Sequence, residues 1–110
     1  EQNRNLASIK MVLDYINEHY QEQLTVKELT EMSNYSEYYF MKLFKQYTGK
    51  TVASYLNDFR LEKAKVLLLH SDRSITEIAL DVGFNNTSYF IKKFQQANLV
   101  SPHKYRKNMS

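Results

Sequence analysis

The sequence predicts an all-α protein of about seven helices, built from two helix-turn-helix subdomains joined by a long linker helix. Three observations predict it. The 110 residues include two glycines and one proline, too few for strands joined by tight turns. Leu, Met, Lys, Glu and Gln are plentiful, which favours helices. The third observation is an internal repeat. Phe44, Thr51 and Tyr55 are matched by Phe94, Ser101 and Tyr105, each 50 positions later (44 to 94, 55 to 105). Tyr39-Phe40 aligns with Tyr89-Phe90, and Lys42 with Lys92. Further upstream the offset is 49 (26 to 75, 29 to 78): Val26, Leu29, Asn34 and Tyr35 align with Ile75, Ile78, Gly83 and Phe84. The second copy thus carries one extra residue near Asn85 or Asn86, in a turn.

The first helix is expected over about 6–21. Leu6, Ile9, Leu13 and Ile16 keep to one face. Thr25 and Ser74 are N-caps, each with a glutamate three residues on (Glu28, Glu77), the spacing of a capping box. A helix of about eight residues follows in each copy. It ends at Asn34 or Gly83, residues that tolerate the left-handed conformation. New caps (Ser36; Asn85 or Asn86) open longer helices, which bury Phe40, Leu43, Phe44 and Tyr47, or Phe90, Phe94 and Ala97. Between the copies, Thr51 caps an uninterrupted helix over roughly 52–70, with Tyr55, Leu56, Phe59, Ala64, Leu67 and Leu68 at helical spacing. Its length is on the order of 28 Å, close to the roughly 34 Å between successive major-groove faces of DNA. The last helix starts at the Ser101 cap with Pro102 in first position. The chain divides into a first subdomain over 1–50, a linker over 51–71 and a second subdomain over 72–110.

Net charge is only +3, but it is segregated. Residues 82–110 hold Lys92, Lys93, Lys104, Arg106 and Lys107 and no acid; residues 38–57 hold Lys42, Lys45 and Lys50 and no acid. Charge segregated this way points to two basic surfaces on an otherwise balanced protein. No cysteine is present, which excludes disulfides and thiolate metal sites. No apolar run approaches the roughly 20 residues of a membrane span. There is no Gly-rich phosphate loop, nucleophile elbow or HxxxH pair, and paired carboxylates such as Asp58/Glu62 fall on polar helix faces. An enzyme, a metal site and a cofactor are therefore not expected. The first residue is Glu1, and the chain is expected to be part of something longer.

"ITEIALDVGFNNTSYFIKKF" followed by "SPHKYR" resembles the signature of the AraC/XylS family of bacterial transcription regulators. "SNYSEYYFMKLFKQYTGKTVASYLNDFRLEKAKVLLL" resembles that family's first unit and linker. The resemblance covers about residues 8–107. It implies sequence-specific binding of a double-stranded DNA operator, with two recognition helices in successive major grooves. It also implies a cytoplasmic location, an effector or receiver domain N-terminal to this module and, for activators, contact with RNA polymerase. Base readers carried over from the family are Tyr38, Met41 and Lys42 in the first unit, and Thr87, Ser88, Ile91 and Lys92 in the second. Lysine donates to guanine, Ser and Thr suit several base edges, and Met and Ile suit a thymine methyl. Expected phosphate contacts are Ser36, Lys45, Lys50, Asn86, Lys104 and Arg106. Tyr55 and Tyr105 read as packing residues, and Arg60 as a structural anchor. Two positions depart from pattern: Leu99 stands where the family usually has glycine, and Val52 where the second copy has Pro102. The module is expected to be monomeric. The rival reading is a helical protein-interaction module that has lost DNA binding; steep salt dependence separates the two.

Overall fold

Seven helices and no strand make up residues 2–109, the part of the chain described by this computed structural model. They are α1 (Gln2–His19), α2 (Val26–Glu31), α3 (Glu37–Thr48), α4 (Val52–His70), α5 (Ile75–Asp81), α6 (Thr87–Asn98) and α7 (Pro102–Met109). The expected caps are in place. Thr25, Ser36, Ser74 and Asn86 each accept a hydrogen bond from the backbone N–H three residues on. The extra residue of the second copy is settled by Asn86, whose Oδ1 accepts from the Tyr89 N–H at 2.8 Å. The capping box is complete only at Ser74–Glu77.

Both short helices stop in the left-handed conformation, at Asn34 (φ 63°) and Gly83 (φ 107°). At the glycine the chain makes the tighter stop, with the Phe84 N–H bonded back to the Ala79 carbonyl at 2.9 Å. In the first copy the Tyr35 N–H turns instead to the Ser33 hydroxyl at 3.1 Å.

The chain falls into two compact units that divide inside α4, between Leu56 and Asn57. Phe40 and Phe44 are fully enclosed in the first unit, Phe90 and Phe94 in the second. Burying each stabilises its unit by roughly 1.5–3 kcal/mol. Tyr55 closes the first core edge-on to Phe44 at 5.6 Å, and Tyr105 closes the second on Phe94 at 5.5 Å. The expectation that these tyrosines pack is met.

The division explains α4. Its first turns, with buried Val52 and Leu56, do for the first unit what α7 does for the second, starting from buried Pro102. The remainder of α4 is the first helix of the second unit. Asn57, Leu61, Ala64 and Leu68 repeat Asn5, Ile9, Val12 and Ile16 of α1 at an offset of 52 (9 to 61, 16 to 68). The repeat therefore extends over every helix, with α4 serving both copies.

Several expected core positions are corrected. The buried stripe of α1 is Asn5, Ile9, Val12 and Ile16, not the one through Leu6, which is 53% exposed. Tyr47 and Ala97 are exposed, and Phe59 and Leu67 are only half-buried. Leu61 and Arg60 are buried instead. The Arg60 guanidinium lies 5.8 Å from the Phe84 ring centroid, as an anchor within the second unit.

Candidate nucleic-acid interface

In each unit the second helix of the turn motif has two faces. On α3, Phe40, Leu43 and Phe44 point inward. Tyr38 (80% exposed), Lys42 and Lys45 point outward, with Met41 half-buried beside them. Positions 38, 41, 42 and 45 share one side, as i, i+3, i+4 and i+7 neighbours do. On α6, Phe90 and Phe94 point inward. Ser88 and Lys92 are exposed, while Thr87 and Ile91 are half-buried. The only acid in either helix is Glu37, at the start of α3.

Three of the four expected base readers on α6 come together. Ser88, Ile91 and Lys92 line one shallow open depression with Gln95 and Gln96. The first unit has an open cleft between α1 and α3 lined by Gln2, Asn5, Tyr39, Lys42, Leu43, Gln46 and Tyr47. Lys42 lies at this cleft, whereas Tyr38 and Met41 do not line it. Sequence reasoning missed the twin glutamines Gln46 and Gln96, which fall one helical turn after Lys42 and Lys92. Carrying the i, i+4 spacing one turn further would have found them.

Of the expected phosphate contacts, Ser36 and Asn86 use a side-chain oxygen to cap α3 and α6, which leaves the hydroxyl proton and the amide N–H groups to donate elsewhere. Lys45, Lys50 and Lys104 are exposed. Arg106 is engaged inside its own unit. Its Nε donates to the Leu68 carbonyl at 2.9 Å and another guanidinium N–H to the Ser71 carbonyl at 3.2 Å, so it clamps the C-terminal end of α4.

Among the described residues no group of three or more His, Cys, Asp or Glu is placed to hold a metal, and no helix is long and apolar enough to cross a membrane.

The arrangement has known counterparts. The family described as helix-turn-helix domain matches residues 29–108. The regulatory protein PocR of Salmonella typhimurium is 39% identical over 104 residues, 94% of this chain and 34% of PocR. This chain thus spans about a third of the length of such curated relatives. The C-terminal domain of the two-component response regulator yesN from Fusobacterium nucleatum superposes with a TM-score of 0.84 at 37% identity, covering 88% of this chain and 95% of that one. The DNA-binding domain of AdpA, a global transcriptional factor crystallised with a target DNA, superposes at 0.88 with 29% identity, covering 91% and 90%. With two copies of the turn motif, their shared α4 and a family match across both, the chain belongs to the AraC-type family of helix-turn-helix transcription regulators.

Proposed function

We propose that this chain is the DNA-binding module of a bacterial transcription regulator, reading sequence through the outer faces of α3 and α6 in successive major grooves. The observation that carries the reading is the acid-free outer face of α6, with Ser88, Ile91 and Lys92 gathered around one depression. A carboxylate there would meet phosphates; its absence and the lysine suit a polyanion. The similarity to AdpA, whose domain was crystallised on its target DNA, supports the same reading. Lys42 and Lys92 read bases in this account, aided by Tyr38, Met41, Thr87, Ser88 and Ile91. Lys45, Lys50 and Lys104 meet phosphates, with Ser36 and Asn86 at the helix starts. The same reading takes RNA polymerase as a second macromolecular partner and the cytoplasm as the compartment.

The test is binding of variants to a duplex selected from a random library and to a scrambled duplex, across salt concentrations. Lys92→Ala and Lys42→Ala are expected to cost about 1–3 kcal/mol on the selected duplex and to relax preference at one or two base pairs. Lys45→Ala is expected to weaken both duplexes alike and to lower the salt slope by about one. Equal weakening of both duplexes by Lys92→Ala would make Lys92 a phosphate contact and move sequence reading to Tyr38, Met41 and Lys42.

A further inference from the structure

We propose that the hydroxyls of Tyr39 and Tyr89 donate hydrogen bonds to backbone phosphates beside the groove, each aimed by an asparagine on the first helix of its own unit. The inference rests on the DNA-binding reading above. Asn5 is 9% exposed, an uncommon place for an amide. Its Oδ1 accepts from the Tyr35 hydroxyl at 2.6 Å, and its Nδ2 donates to the Tyr39 hydroxyl at 3.4 Å. In the second unit the Asn57 Nδ2 donates to the Tyr89 hydroxyl at 3.1 Å. Asn5 and Asn57 are repeat partners, and so are Tyr39 and Tyr89. The same polar pair is thus built twice, once from α1 and once from α4.

A phenol hydroxyl has one proton to give and can accept as well. With the asparagine amide donating to its oxygen, the hydroxyl keeps its proton for an outside acceptor. A phosphate oxygen can only accept, so it fits the open end of an N–H to O–H relay, and each bond in such a relay polarises the next. The position suits that partner. Tyr39 and Tyr89 precede Lys42 and Lys92 by three residues, so each stands on the flank of the base-reading face. They are 39% and 44% exposed. Tyr39 and Lys42 line the same open cleft. The Lys93 ammonium lies 5.5 Å from the Tyr89 ring centroid, adding positive charge at that edge. Both rings are braced, Tyr39 edge-on to Tyr35 at 5.0 Å and Tyr89 against Phe84 at 6.1 Å. A braced hydroxyl loses little freedom when it meets its acceptor.

The experiment compares the parent, Tyr39→Phe, Tyr89→Phe, Asn57→Ala and the double variant Asn57→Ala/Tyr89→Phe on the selected and scrambled duplexes at several salt concentrations. Each Phe variant keeps its ring, and thermal unfolding checks that it folds. Loss of a hydrogen bond to a charged group is expected to weaken both duplexes by the same factor, about tenfold. The salt slope stays unchanged, because no charge is removed. Asn57→Ala weakens binding in the parent and adds nothing once Tyr89 is Phe. A parent that binds while both Phe variants bind equally well overturns this assignment alone, and so does weakening confined to the selected duplex. A parent that binds neither duplex overturns the DNA-binding reading and this assignment with it.

Discussion

Leu99 holds φ at 64° at the end of α6, where its repeat partner Gly49 holds 79° at the end of α3. Both N–H groups close the same turn, to Gln95 and Lys45 carbonyls at 2.8 Å. A leucine in this conformation is strained by about 1–2 kcal/mol, whereas glycine there costs roughly 0.5–1 kcal/mol in unfolded-chain entropy. Strain wins, and Leu99 is 85% exposed, so replacing it forfeits little burial. Leu99→Gly is therefore expected to stabilise the protein by roughly 0.5–1 kcal/mol in chemical denaturation; a destabilised variant would refute the account. Arg106 gives a second residue-scale test. As a clamp on the Leu68 and Ser71 carbonyls, its replacement in Arg106→Ala is expected to cost about 1–3 kcal/mol of stability. The salt slope of DNA binding then holds. A phosphate contact would behave the opposite way, with stability kept and the slope down by about one.

At the scale of the element, α5 depends on its first turn. The Ser74 N–H donates to Glu77 Oε1 at 2.8 Å while the Ser74 hydroxyl accepts from the Glu77 N–H at 3.0 Å. The backbone bond from Ser74, then its hydroxyl, then the charge of Arg73 hold the Glu77 carboxyl below the usual carboxylate range. A carboxyl with a lowered folded pKa contributes stability that is present above the unfolded pKa and lost as pH falls through the folded one. Glu77→Gln keeps the box geometry but not the charge. The advantage of the parent over this variant is expected at neutral pH and to vanish on acidification. Denaturation at a series of pH values checks it; a difference that stays constant into acid contradicts it. The long helix α4 carries two sets of demands, and its buried residues Val52, Leu56, Arg60, Ala64 and Leu68 follow an i, i+4 row that winds gradually around the helix from one face to another.

Across the whole molecule, two copies of one unit run in tandem within a single chain. Palindromic sites reflect the two-fold symmetry of dimers, which a tandem repeat does not supply. The two copies share a lysine, Lys42 and Lys92, but differ beside it where they would read bases: Tyr38 and Met41 against Ser88 and Ile91. Selection from a random duplex library is expected to return two unlike half-elements about one helical turn apart, without inverted symmetry. Perfect inverted repeats bound by one chain would rule this out.

The caps at Thr25, Ser36 and Ser74, the stops at Asn34 and Gly83, the span of α4 and the outward lysines were legible in the sequence. Each is a signal carried within a turn or two of helix, where capping hydrogen bonds and the 3.6-residue period act. The phase of α1 was not legible. Leu6 and Leu13 compete with Asn5 and Val12 on neighbouring stripes, and only the tyrosine hydroxyls of Tyr35 and Tyr39 make the inside of the unit acceptable to an amide. Nor could spacing show that α4 serves two cores, that Arg106 meets a carbonyl 38 residues away, or that Tyr89 is held by Asn57. By itself the sequence determined where helices start and stop and which faces stay polar, because those choices are made locally. The tertiary structure decided which polar group is spent inside the fold and which is left facing outward, because that depends on partners brought together only when distant segments pack.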